Sequence, residues 1–226
     1  MLKENEIKLI GQLCAREEPF WHELRENYIQ LTEVAYASGI LVEGNIYNYH
    51  HSPKSYNPAT DFLAKRHSYA LFAAANKNVV EIGFNAGHSA LLALTVNPEL
   101  CYTAIDIGHH AYTVSCFEFL KEKFGDRIDL IIGDSRIFLP TLFHQRPHLK
   151  NKVDGWIIDG DHTTEGASAD IENVLSLSKN GDRLLFDDTD MIHLDWLLKY
   201  YQMAGKITPI ADLTSTKGSL VFSINK

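Results

Sequence analysis

The sequence predicts an α/β protein, a doubly wound, mostly parallel seven-stranded sheet with an antiparallel C-terminal hairpin and an N-terminal helical extension. Three observations carry that reading. From Asn76 onward, short β-prone runs alternate with helical stretches, the pattern of βαβ units whose sheet is covered on both faces. Several of these runs end in Gly and Asp where strand passes into helix, as in EIGFNAG, AIDIG and IIGDS. The last two runs, ITPIADL and SLVFSINK, are separated only by TSTKG, which suits a closing hairpin.

The elements follow in order. Over residues 1 to about 40, Leu9, Ile10, Leu13, Phe20, Trp21, Leu24, Ile29, Leu31, Val34 and Ala35 recur at roughly helical spacing. The stretch GNIYNYHHSPKSYNPAT, rich in Asn, Pro, Ser, Tyr and His, then marks a loop over about 44–60. That loop is either a lid or a connector, and Tyr47, Tyr49, His50 and His51 are its candidate acceptor contacts. A helix is expected from Thr60 to Ala75 with Asp61 as its cap. The β-prone runs NVVEIGF, CYTAIDIG, IDLIIGD, VDGWIIDGD and DRLLFDD come next, separated by helical stretches that include about Glu165 to Leu177. A helix over Ile192–Ala204 precedes the hairpin. Residues 1–59 are thus read as a helical segment with a lid loop, and 60–226 as the sheet domain.

Composition narrows the function classes. The chain has 226 residues, 45% of them hydrophobic, enough to bury a core without staples. A formal charge of −8 with scattered Lys and Arg argues against a nucleic acid or an anionic membrane as main partner. Cys14, Cys101 and Cys116 are odd in number and far apart, so neither a disulfide framework nor a zinc knuckle is expected. The N-terminus carries no apolar signal region, and no run is long enough to span a bilayer. A reducing, cytoplasmic setting follows as the expectation.

The first chemical signal is Glu81-Ile-Gly83-Phe-Asn85-Ala-Gly87-His-Ser89, between a strand and a helix. Ligands of open α/β sheets sit at such carboxyl strand ends. The spacing is not the G-x-G-x-x-G of a diphosphate loop, and Glu81 would repel a diphosphate. It suits instead the ammonium of an amino-acid moiety, whose carboxylate could meet the helix amides and Ser89. Asp106, ending the next strand, is placed to accept from ribose hydroxyls. Asp134 and Ser135, after the third strand, offer an acceptor and a hydroxyl to an adenine ring.

In these residues the chain resembles the class I S-adenosylmethionine-dependent methyltransferases, with a Rossmann-like sheet, over roughly residues 60 to 226. It is most similar to small-molecule O-methyltransferases of the catechol and macrocin type, whose cofactor loop E-x-G-x-x-x-G-x-S is matched by Glu81, Gly83, Gly87 and Ser89. Asn85 and His88 stand at variable positions of that loop. The resemblance implies S-adenosylmethionine as cofactor, with Asp106 on the ribose and Ser135 by the adenine. It also implies a small hydroxylated acceptor, and related enzymes are often homodimers.

A second cluster concerns the subtype. Asp159, Asp161 and His162 follow the fourth strand, and Asp187, Asp188 and Asp190 end the fifth. Neighbouring strands are about 4.8 Å apart, so these carboxylates crowd and raise one another's pKa. A divalent cation such as Mg²⁺ would relieve the repulsion and acidify an acceptor hydroxyl. The alternative is a set of helix caps with no metal, Asp190 among them. By the resemblance, the metal ligands are Asp159, Asp187 and Asp188, with Asp161 as an alternative, and Asp159 also borders the cofactor. His162 stands where catechol-type relatives carry a Lys base, which implies that it takes the hydroxyl proton. His109 and His110 follow the ribose strand. His144 and His148 are four apart, but Pro147 between them breaks a helical metal pair. The rival readings are a metal-independent methyltransferase, a nicotinamide oxidoreductase and a non-catalytic cofactor-binding domain.

Overall fold

The computed structural model describes residues 19–214 and 218–226. The expected helical residues Leu9, Ile10 and Leu13, and Cys14, lie outside the described residues. The described chain opens with α1 (Pro19–Tyr36) and, after the 43–60 segment, α2 (Leu63–Ala75). The alternating part follows as β1 (Asn78–Ile82), α3 (His88–Val96), β2 (Cys101–Asp106), α4 (Thr113–Phe124) and β3 (Ile128–Ile132). Two single turns, α5 (Ser135–Phe138) and α6 (Leu142–Gln145), lead to β4 (Gly155–Ile158), α7 (Thr164–Leu177), β5 (Arg183–Asp187) and α8 (Ile192–Met203). The hairpin is β6 (Ile207–Pro209) and β7 (Ser219–Ile224).

All seven strands form one sheet in the order β3-β2-β1-β4-β5-β7-β6. The β1–β5 pairs are parallel, and β7 is antiparallel to both β5 and β6. This is the Rossmann-like mixed sheet expected from the alternating runs. The chain reverses direction along the sheet at β1 and β4, so their carboxyl ends diverge and leave a crevice, the usual ligand position in such sheets.

Strand alternation sends neighbouring residues to opposite faces. Val79 and Ile157 join one core, with α1–α4. Val80, Trp156 and Ile158 join the other, with α7 and α8. Both faces are therefore dry, which explains why the strands read as continuous apolar runs.

Two expected caps are absent. Thr60–Phe62 is a 3₁₀ turn without a side-chain cap, and the Asp61 carboxylate instead accepts from the Tyr49 hydroxyl. The N-cap of α8 is Met191, not Asp190, and it too lacks a side-chain bond. The helix α6 ends before Pro147, which separates His144 from His148 as expected.

Candidate active site

The carboxyl ends of the parallel strands open onto a cavity of about 630 Å³, within the roughly 300–1,000 Å³ of small-molecule sites. Gly83, Asn85, Asp106, Ser135 and Asp159 line it from the strand ends. Asn48, Tyr49 and His50 line it from the 43–60 segment. That segment is pinned from behind: Arg66 Nη1 donates to the carbonyls of Ile46 (3.0 Å) and Ala59 (3.1 Å), and Tyr47 is fully buried. His109 and His110 also border the cavity, and His110 stacks on Tyr112 and pairs with Glu43 at 3.1 Å.

The glycines of the β1–α3 loop answer to packing. A Cβ on Gly83 would fall 1.9 Å from the Asp159 carbonyl oxygen, and one on Gly87 2.5 Å from the Phe84 ring. Both also have positive φ, 93° and 74°, which only glycine adopts cheaply. Gly83 thus lets the β1 and β4 loops touch, bringing Asp159 beside the cofactor loop.

The acids of this end are held within the protein. Glu81 is fully buried outside the cavity lining, and Oε1 accepts from Ser89 Oγ at 2.5 Å. Its Oε2 and the neighbouring Tyr102 hydroxyl lack hydrogen-bond partners among the described residues. Burial pushes the carboxyl up to about 8, so Glu81 is neutral at pH 7. Asp106 accepts from the Asn85 amide (2.8 Å) and the Gly108 amide (2.7 Å), tying the two loops together. The Asn85 side chain is occupied as well: its amide donates to Gly44 O, and its oxygen accepts from Tyr112. Asp134 caps α5 through the Arg136 amide and pairs with the Arg136 guanidinium at 2.6 Å. Ser135 Oγ donates to the buried Asp170 at 2.6 Å.

The β4–β5 end is different. Asp159, His162 and Asp188 each offer a ligand atom, and these atoms lie within 4.8 Å of one another. His162 Nε2 is 3.1 Å from Asp188 Oδ2 and 3.7 Å from Asp159 Oδ1. Asp187 stands outside this group. It is buried, accepts from Ser219 and from Tyr69 (3.1 Å), and is 2.6 Å from Lys65 Nζ. Lys65 also reaches Asp188 Oδ1 at 3.4 Å. The ligand set that the resemblance implied and the geometric set therefore differ by one member, with His162 in place of Asp187.

The electrostatics follow from crowding. Burial, then the nearby Asp187, holds Asp159 far above the ordinary carboxylate range, and burial raises Asp188 too. Asp159 first, then Asp188, pushes His162 up to about 9, so its imidazole is cationic at pH 7. A cationic imidazole is no base, which speaks against that role for His162 in the metal-free cluster. Lys65 and Tyr69 were missed by sequence reasoning. The available signal was their i,i+4 spacing, which puts two polar groups on one stripe of an apolar helix.

Residues 80–189 match the family model of a methyltransferase domain. No curated protein matches the chain by sequence. Among solved structures, the apo form of CalS11, a TDP-rhamnose 3'-O-methyltransferase of calicheamicin biosynthesis, is 14% identical with a TM-score of 0.59, over 73% of this chain and 80% of its own. The methyltransferase PaMTH1 of Podospora anserina, bound to S-adenosylhomocysteine, is 15% identical with a TM-score of 0.59, over 100% and 98% of the two chains. MycE, a methyltransferase of mycinamycin biosynthesis in complex with Mg and S-adenosylhomocysteine, is 16% identical with a TM-score of 0.51, over 72% of this chain and 48% of its own. Residues 80–189 thus match a methyltransferase domain, and the whole sheet has the fold of class I S-adenosylmethionine-dependent methyltransferases.

Proposed function

We propose that this enzyme transfers the methyl group to an oxygen of a small hydroxylated molecule, assisted by a divalent cation. The observation that carries the reading is the meeting of Asp159, His162 and Asp188 in the same cavity that Asp106 and Ser135 line. The O-methyltransferase activity of CalS11 and the Mg complex of MycE point the same way.

The residues fit both groups. Asp106 suits the ribose, and Gly133, Ser135 and Ile107 line a compartment suited to the adenine. The small hollow beside His88 and Ser89, at the start of α3, suits the amino-acid end. Two crowded carboxylates and an imidazole suit a divalent cation. One nitrogen in the set favours a borderline ion such as Mn²⁺ over the all-oxygen preference of Mg²⁺. When bound, the cation would lower the pKa of the acceptor hydroxyl. Asp159, Asp188 and His162 hold it, while Lys65 keeps Asp187 neutralised from behind. Asp159, raised toward neutrality in the cation-free cluster, must lose its proton before it can hold the ion. Transfer then needs alignment of oxygen, methyl carbon and sulfur, with no covalent enzyme intermediate. A reducing, cytoplasmic setting fits Cys101 and Cys116, both free thiols.

One observation favours a cation-free variant: Lys65 already places a positive charge beside Asp187 and Asp188. Calorimetry with S-adenosylhomocysteine, NAD and Mn²⁺, alongside turnover of S-adenosylmethionine with hydroxylated acceptors in EDTA, separates these readings. Expected are heat with S-adenosylhomocysteine and Mn²⁺, none with NAD, and loss of turnover in EDTA. Full turnover in EDTA assigns the charge role to Lys65 alone. Heat only with NAD ends the methyltransferase reading.

A further inference from the structure

Helix α8 presents an apolar stripe to solvent on the face away from the core. Its inner face is spent on Leu194, Leu198 and Tyr201, all buried. Outward, Ile192 is 72% exposed, Trp196 69%, Tyr200 64% and Met203 89%. At about 100° per residue these four fall within an arc of about 80°, so they form one continuous ridge. A single exposed Leu needs no explanation, but four large apolar side chains in a row mark an interaction surface.

The order of residues along the ridge identifies what covers it. Ile192 and Met203, Trp196 and Tyr200, and the flanking Asp195 and Lys199 are three pairs sharing nearly one midpoint, between positions 197 and 198. Such a ridge reads alike in both directions once each residue is exchanged for its partner in the pair. A twofold axis through that midpoint lays a second copy antiparallel on the first. Ile192 then meets the other copy's Met203, Trp196 meets its Tyr200, and Asp195 meets its Lys199. An isologous contact requires this self-complementarity, in apolar shape and in charge alike. Within one chain Lys199 already pairs with Asp195 at 2.6 Å, so the charges flank the ridge as an ordered set.

We propose that α8 is the homodimer interface of this enzyme, with two copies packed antiparallel about Trp196 and Tyr200. The interface abuts the active site. Met191, just ahead of α8, lines the cavity, and His193 Nε2 lies 2.8 Å from the His162 carbonyl oxygen. The first described helix, α1, packs against α3 and α4 on the opposite face of the sheet.

The test is sedimentation equilibrium on the full chain over about 1–100 μM, with circular dichroism as the folding check. The wild type is expected to reach twice the chain mass within that range. Trp196→Asp should keep the wild-type spectrum, since the side chain is mostly exposed, and raise the dimer dissociation constant at least 30-fold. Lys199→Glu, which sets Glu against the other copy's Asp195, should weaken the dimer about tenfold. Adding Asp195→Lys to it should restore association. A wild type that stays monomeric overturns the proposal and leaves the ridge to a different protein. A dimer indifferent to Trp196→Asp, or a double charge swap no tighter than the single one, overturns the α8 geometry.

Discussion

At the β1–β2 end of the cavity, Glu81 and Asp106 are acids whose charge is settled without a ligand. One is neutral by burial, and the other accepts two backbone amides. At the β4–β5 end, Asp159, Asp187 and Asp188 crowd into one corner, and among the described residues Lys65 and His162 are the cations that pair with them. The first end has its geometry fixed before anything binds, which suits the cofactor proposed for it. The second keeps unbalanced charge for the moment of reaction. Backbone strain does not separate the two ends, because Asn85 at the first (φ 53°) and Asp188 at the second (φ 52°) both hold the left-handed conformation.

The largest expected effect lies at the charged end. Asp188→Asn keeps a side chain that tolerates the left-handed backbone but removes a full ligand charge. Turnover should drop about a thousandfold, the worth of several kcal/mol of cation assistance. Calorimetric affinity for S-adenosylhomocysteine should change less than about threefold. An equal loss of cofactor affinity would mean that the two ends are one unit, and the contrast between them would collapse.

At the closed end the sharpest test is stability. Glu81 has its folded pKa raised to about 8 from an unfolded value near 4.5. Between those values the folded state binds a proton that the unfolded state lacks, so stability falls as pH rises through that window. Glu81→Gln removes the penalty while keeping the shape. The cofactor-free variant should gain about 3 kcal/mol at pH 7 and show a flatter melting temperature between pH 5 and 8. A lower melting temperature at pH 7 would mean that Glu81 is charged and paired in the fold.

The sheet was legible because each strand is a short apolar run stopped by Gly and Asp, and the carboxylates at those stops were legible with it. The hairpin declared itself by lacking a helix between its strands. What the sequence did not reveal depends on contacts across long separations. Lys65 and Tyr69 sit on a helix that precedes β1, yet they meet Asp187 more than a hundred positions later. Nothing local to either segment announces that meeting. The caps assigned to Asp61 and Asp190 failed for the same reason, since a local preference yielded to Tyr49 in one case and to the β5–α8 turn in the other. Gly83 belongs with them, since the β4 loop whose close approach it permits lies far along the chain.

The smallest effect probes the seam between the two ends. Tyr69 has one hydroxyl proton and two carboxylate neighbours, Asp187 at 3.1 Å and Asp159 at 3.4 Å. The hydroxyl is directed at both, Asp187 first, a chain of donation that favours the ionised form of each carboxylate. Tyr69→Phe breaks that chain without changing the packing of the ring. It leaves a buried carboxylate one donor short, which should cost about 1–2 kcal/mol of stability. Asp159 loses the nearby dipole that favours its ionised form, so its pKa rises further. Turnover should therefore fall a few-fold at pH 6 and hardly at all at pH 8, moving the acid limb of the pH–rate profile upward. A uniform loss at every pH would make Tyr69 a packing residue and would remove Asp159 from the groups whose ionisation limits turnover.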